Sequence, residues 1–177
     1  SVEKVEEALK AIEYENVTTV QIIFNMFRQR PSELFFAEAA KKNIGIIARV
    51  PLASGLLTGK FSPSTIFGKD DHRTFNRSGE VFDKGETFSG IDYVKGLNAV
   101  EEIKKHFPQS TDLSAIALKW ILMFREISCV IPGTSRPEQV IANLQASQLP
   151  NLSPEQMENI KHIYTQYIWP DLAKEKW

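Results

Sequence analysis

The chain has 177 residues, 42% of them hydrophobic and 24% charged, which is the composition of one ordinary globular domain. It falls short of the roughly 250 residues of a complete (β/α)₈ barrel. Net charge is −1 and no basic run exceeds two residues, which argues against a nucleic-acid partner. No apolar run approaches the roughly 20 residues of a membrane helix. Cys129 is the only cysteine, so an internal disulfide is excluded and a reducing, cytoplasmic setting is expected.

In chain order, Val2, Val5, Leu9 and Ile12 recur at helical spacing and predict an amphipathic helix over 3–13. Residues 17–24 are β-branched and nearly continuous, as in a strand buried on both faces. Pro31, Ser32 and Glu33 open a helix carrying Leu34, Phe35 and Ala39, with Asn43 and Gly45 as stop signals. A second apolar strand runs from Ile44 to Val50 and ends at Pro51. Residues 62–90 are polar and Gly-punctuated. A structureless stretch of that length in a compact domain is functional or mobile as a rule, and it is expected here as a solvated loop.

Regular structure resumes near Ile91, with Val94, Leu97, Val100 and Ile103 on one face. Ser110 and Thr111 offer an N-cap for the strongest helix, whose apolar face holds Leu113, Ile116, Ala117, Trp120, Ile121 and Phe124. Residues 127–131 read as a third buried strand, which makes Cys129 a core thiol. Ser153, Pro154 and Gln156 combine an N-cap, a proline at the first helical position and a capping-box partner, so a last helix starts at 154. The alternation of strands and helices implies one α/β domain with a parallel sheet and right-handed crossovers.

The segment from Ile131 to Leu144 carries the most chemistry. It leaves a strand end through Pro132, Gly133, Thr134 and Ser135, and enters a helix that begins with Pro137. Arg136, Gln139 and Asn143 recur on one face where helix N–H groups lack partners, an arrangement suited to an anion such as phosphate. Residues 49–61 form a second such segment. Gly55 and Gly59 let the backbone approach a ligand, Ser54 and Thr58 add donors, and Lys60 adds charge. Gln21 is a lone amide in an apolar strand and must find a partner, either a cofactor or a neighbouring backbone group.

Together these segments resemble the C-terminal half of aldo-keto reductases, NADP-dependent (β/α)₈ barrel oxidoreductases, from the end of the fifth strand to the C-terminal helices. The resemblance implies a partial barrel of three to four parallel strands with outer helices. It gives Gln21 to the nicotinamide carboxamide, with Ser1 beside it, and Pro51, Leu52, Ser54, Gly55, Leu56 and Lys60 to the pyrophosphate. Arg136 falls to the adenosine 2′-phosphate, with Gly133, Thr134, Ser135, Gln139 and Asn143 around it. Arg49 stands where many members stack an aromatic ring on the nicotinamide; its guanidinium either stacks likewise or pairs with a buried carboxylate.

The family's catalytic tyrosine, lysine, aspartate and histidine lie on strands two to four, outside this half. No residue here inherits a catalytic role, and no metal signature is present. The implied function is an NADPH-holding half of an enzyme that transfers hydride to an aldehyde or ketone, inactive alone. Its exposed sheet edges favour a homo-oligomer. A non-catalytic nucleotide-binding or regulatory module on the same fold is the alternative. Arg73 and Arg77, in the polar loop, are further candidates to meet phosphates.

Overall fold

The computed structural model describes residues 1–109 and 112–173. Three strands, β1 (Thr19–Ile23), β2 (Gly45–Arg49) and β3 (Ile127–Val130), form one parallel sheet in the order β1-β2-β3. β1 runs in unbroken register against β2, from Thr19 beside Gly45 to Ile23 beside Arg49. The β2–β3 pairing slips between Ile46 and Ile47, and Ser128 is the residue left over. Its hydroxyl accepts the Ile46 N–H at 3.1 Å, so the bulge leaves no orphan donor there.

The crossover from β1 to β2 is two short helices, α2 (Arg30–Leu34) and α3 (Phe36–Lys41), where one was expected. Asn43 ends the second in a left-handed conformation, φ 55°, which a short amide side chain tolerates. The helix α1 (Val5–Ala11) precedes β1; Glu7 Oε2 accepts the N–H groups of Glu3 and Lys4 at 2.8 and 3.1 Å and so caps it. Aromatic side chains from distant parts of the chain meet around fully buried Phe24. Its ring lies 4.8 Å from Phe36, 5.1 Å from Trp120 and 5.0 Å edge-on from Phe124.

Residues 62–90 depart from the expected structureless loop. They contain a short helix, α4 (His72–Phe75), and 3₁₀ turns at Lys84–Glu86 and Phe88–Gly90. The polar residues that made the stretch look solvated serve as internal caps. Fully buried Asn76 accepts the N–H groups of Val81 and Phe82 at 2.8 and 2.9 Å, and its amide donates to Thr87 at 3.3 Å.

Helix α5 (Tyr93–Lys105) buries Leu97, Val100 and Ile103 as expected, whereas Val94 is 53% exposed. Gly96 lets it approach the turn at Ala53–Thr58, because a Cβ there would stand 2.8 Å from Leu56. In α6 (Leu113–Leu122) the cap is Asp112, which accepts from Ser114 and Ala115 at 3.0 and 3.3 Å; the expected cap residues Ser110 and Thr111 lie outside the described residues. The sheet leads on to α7 (Pro137–Gln145) and α8 (Pro154–Ile163), followed by a π turn and α9 (Trp169–Leu172). Ser153 and Gln156 cap α8 reciprocally at 3.1 and 2.9 Å.

The third strand is not buried. β3 pairs with β2 on one side only, its middle residues Ser128 and Cys129 are exposed, and α7 buries none of its side chains. An edge strand has nothing to cover its far side, so an apolar composition alone does not place it in a core. Cys129 is therefore an exposed thiol, not a core one. In this chain as a monomer it is expected to react with a disulfide reagent about as fast as in urea. Protection until unfolding would contradict this placement.

Among the described residues, no helix is long and apolar enough to cross a membrane.

Candidate functional site

The chain leaves β2 through a run of left-handed residues. Val50, Ala53 and Ser54 have φ of 51°, 48° and 55°, and Gly55 has 97°. For a β-branched residue such as Val50 this is a strained conformation, which persists only when its surroundings impose it. Here they do. The amide of buried Asn25 donates to Val50 O and to Ser89 Oγ, both at 2.8 Å. The Ser54 hydroxyl donates to Glu86 O at 2.9 Å and accepts Phe88 N–H at 3.0 Å. Gly55 has no room for a side chain, since a Cβ would come within 2.7 Å of the Phe61 ring.

This turn forms one wall of a cleft of about 590 Å³. Val50, Pro51, Leu52, Ser54, Gly55 and Thr58 line that wall, and Ile131, Gly133, Thr134, Ser135 and Gln139 line the other. Phe61, His72, Arg73 and Glu86 come from the long segment between them. The two segments singled out in the sequence, about seventy residues apart, thus line one space.

Of the expected site residues, Pro51, Leu52, Ser54, Gly55, Gly133, Thr134, Ser135 and Gln139 come together in this cleft. The others stand elsewhere. Gln21 donates to Ser1 Oγ at 3.4 Å, so the two expected nicotinamide residues are neighbours. Leu56 is fully buried, its side chain against the space that Gly96 leaves. Lys60 borders a separate hollow beside Lys104 and Phe107. Asn143 borders an apolar groove between α6, β3 and α7, and Arg136 is exposed outside the cleft lining.

Of the two readings open for Arg49, the structure shows carboxylate pairing. Its side chain is 7% exposed, lies 2.7 Å from Glu3, pairs with Glu86 and donates to Val2 O at 3.1 Å. Sequence reasoning missed Glu86, because nothing in a polar stretch marks which carboxylate will meet a distant arginine.

Arg73 is the cation of the lining. It chelates Asp71 through Nε at 2.8 Å and Nη2 at 2.5 Å, donates to Ser54 O at 3.3 Å, and lies 4.5 Å over the Phe67 ring. The Arg73 guanidinium holds the Asp71 carboxyl at a pKa of about 2, below the ordinary aspartate value of 3.8. A lowered folded-state pKa adds stability above pH 3.8 that is lost as pH falls towards 2. The Asp71–Arg73 turn is therefore expected to stay intact at pH 5 and to loosen between those values. Proton resonances of the 71–77 amides, followed through an acid titration, check this; loosening near neutrality would contradict it. Arg77 instead lies over the rings of Phe67, Phe88 and Tyr93.

The aldo/keto reductase family profile matches residues 1–165. An L-glyceraldehyde 3-phosphate reductase of Escherichia coli O157:H7 is 31% identical over 121 residues, 68% of this chain and 34% of that protein. A putative voltage-gated potassium channel subunit beta of Schizosaccharomyces pombe is 31% identical over 114 residues, 64% of this chain and 32% of that protein. Among solved structures, a glycerol dehydrogenase of Gluconobacter oxydans aligns with a TM-score of 0.66 and 25% identity, covering 85% of this chain and 43% of its own. An aldo-keto reductase of Bacillus halodurans in its holo form, 19% identical with a TM-score of 0.66, shares the fold over 90% of this chain and 47% of its own. The chain spans about a third of the length of these two curated relatives and under half of each of these solved neighbours. Its three parallel strands and outer helices are part of a (β/α)₈ barrel, and the chain belongs to the aldo/keto reductase family.

Proposed function

We propose that this chain is the dinucleotide-holding half of an NADP(H)-dependent aldo-keto reductase. The observation that carries the reading is the single cleft in which the 50–58 turn meets the 131–139 segment. Its walls suit the group. Gly55 keeps the backbone bare, a Cβ at Gly133 would meet no atom within 4 Å, and Ser135 and Gln139 line the cleft at the start of α7. NADPH bound there supplies a hydride. The residues of this chain hold it: Pro51, Leu52, Ser54 and Gly55 along the pyrophosphate, and Gly133 to Gln139 around the adenosine phosphate. Gln21 beside Ser1 receives the nicotinamide amide. Arg136, next to Ser135, stands at the phosphate end, whereas Asn143 and Lys60 border other hollows and would need to turn towards the cleft to take part. Arg49 and Leu56 support the turn from behind.

Reduction of an aldehyde or ketone also needs a proton donor beside the nicotinamide. That group is proposed to come from the half of the barrel that this chain does not include, so the chain alone binds without turnover. NADPH and a simple aldehyde with the purified protein are expected to show no steady loss of absorbance at the reduced-nicotinamide band. Sustained turnover would overturn the claim.

The open side of the sheet points to association. β3 has one strand neighbour, and Val140, Ile141 and Leu144 of α7 are 46%, 60% and 68% exposed. Exposed apolar side chains beside an unpaired strand edge favour self-association. We propose a dimer or larger homo-oligomer in a reducing, cytoplasmic setting. A monomer mass in sedimentation at micromolar concentration would contradict the assembly.

A further inference from the structure

The cleft wall at Val50 is held from behind by a residue that does not line it. Asn25, two residues past β1, is fully buried. Its amide nitrogen donates to Val50 O and to Ser89 Oγ, both at 2.8 Å, and its Oδ1 accepts the Phe27 N–H at 2.8 Å. Both amide hydrogens are therefore committed. The two groups they grip belong to two strained turns: Val50 has φ 51°, and Phe88 and Ser89 have φ of 53° and 58°. Neither a valine nor a phenylalanine adopts that backbone without strain. Val50, Ser54 and Glu86 form part of the cleft lining, and Asn25 does not.

We propose that Asn25 is a positioning residue for the dinucleotide. Its two donated bonds hold Val50 left-handed and keep the wall that Val50 opens in the shape that receives the ligand. Without them the strained turn relaxes towards ordinary backbone, and only a fraction of molecules present a ready wall. Apparent affinity falls by that fraction. This inference rests on the dinucleotide reading above.

A double-mutant cycle separates positioning from plain support of the fold. NADPH is titrated by fluorescence, with far-UV circular dichroism to confirm folding. Asn25→Ala should raise the Kd about five- to tenfold. Glycine adopts positive φ without strain, so a chain carrying Val50→Gly depends less on the Asn25 bonds. In that background Asn25→Ala should raise the Kd only about twofold. A merely structural role gives the same loss in both backgrounds. Ser89→Ala, which removes one partner of the Asn25 amide, runs the same cycle in milder form if Asn25→Ala folds too weakly to titrate. It should raise the Kd about two- to threefold beside Val50 and leave it unchanged beside Val50→Gly. Equal losses in the two backgrounds, or unchanged affinity in folded Asn25→Ala, overturn the inference while the dinucleotide reading stands. Absence of NADPH binding in wild type overturns the two together.

Discussion

Replacing Trp120 with alanine is expected to lower the unfolding free energy by about 3–5 kcal/mol, the range for removing a large aromatic from a packed core. Trp120 is 1% exposed, stacks 5.1 Å from Phe24 and meets Phe124 at 4.9 Å. Through Phe24 the same cluster ties the end of β1 to α3 and α6, so the cavity would open where sheet and helices join. Small domains have about 5–15 kcal/mol in all, and this chain also leaves a strand edge uncovered. The variant should therefore be largely unfolded in mild urea. A urea titration followed by circular dichroism reads the change, with Trp120→Phe expected to recover about half of it. A loss below about 1 kcal/mol would mean that the aromatic cluster is not the centre of the core.

The second large effect concerns Arg49. It is the cation between Glu3 and Glu86, and Glu86 also offers its carbonyl to Ser54 in the cleft wall. Arg49→Met leaves two carboxylates facing each other without a counter-charge. Breaking a buried pair from one side costs about 3–5 kcal/mol. Glu3 and Glu86 are 32% and 29% exposed, so solvent screening reduces the expected loss to about 2–3 kcal/mol. Adding Glu3→Gln and Glu86→Gln removes the stranded charges, and most of the loss should return. No recovery in the triple variant, measured by the same urea titration, would show that Arg49 acts through packing rather than charge. The cleft turn should loosen in Arg49→Met, because Glu86 would lose its anchor.

Where buried periodicity controls structure, the sequence was legible. The β-branched runs of β1 and β2, the helical crossover between them (though not its break into two helices) and the reciprocal cap of Ser153 and Gln156 follow from patterning and local hydrogen bonding. Cys129 was misread because burial of a strand depends on what pairs with it, and an edge strand of a sheet has the same composition as a central one. The short turns within 62–90 were not foreseen because Asp71, Asn76 and Asp83 cap them from within, although much of the stretch, residues 77–82 included, is exposed as expected. The glycine turn and the segment beginning at Ile131 stood out in the sequence by composition and spacing, and the structure sets them across one cleft. Gln139 was read on spacing alone as a residue turned to a ligand. A side-chain oxygen that caps its own helix satisfies the same donors as a ligand oxygen, so spacing could not reveal the cap.

The central claim is that the cleft between residues 50–58 and 131–139 holds a nicotinamide dinucleotide. Amide hydrogen exchange of the purified protein, with and without saturating NADPH, tests it most directly. The account predicts new protection in both segments, strongest at Ser135 and Arg136 and around Ser54 and Gly55, with little change in α8. Unchanged exchange throughout, or protection confined to the apolar groove of α6, β3 and α7, would contradict it.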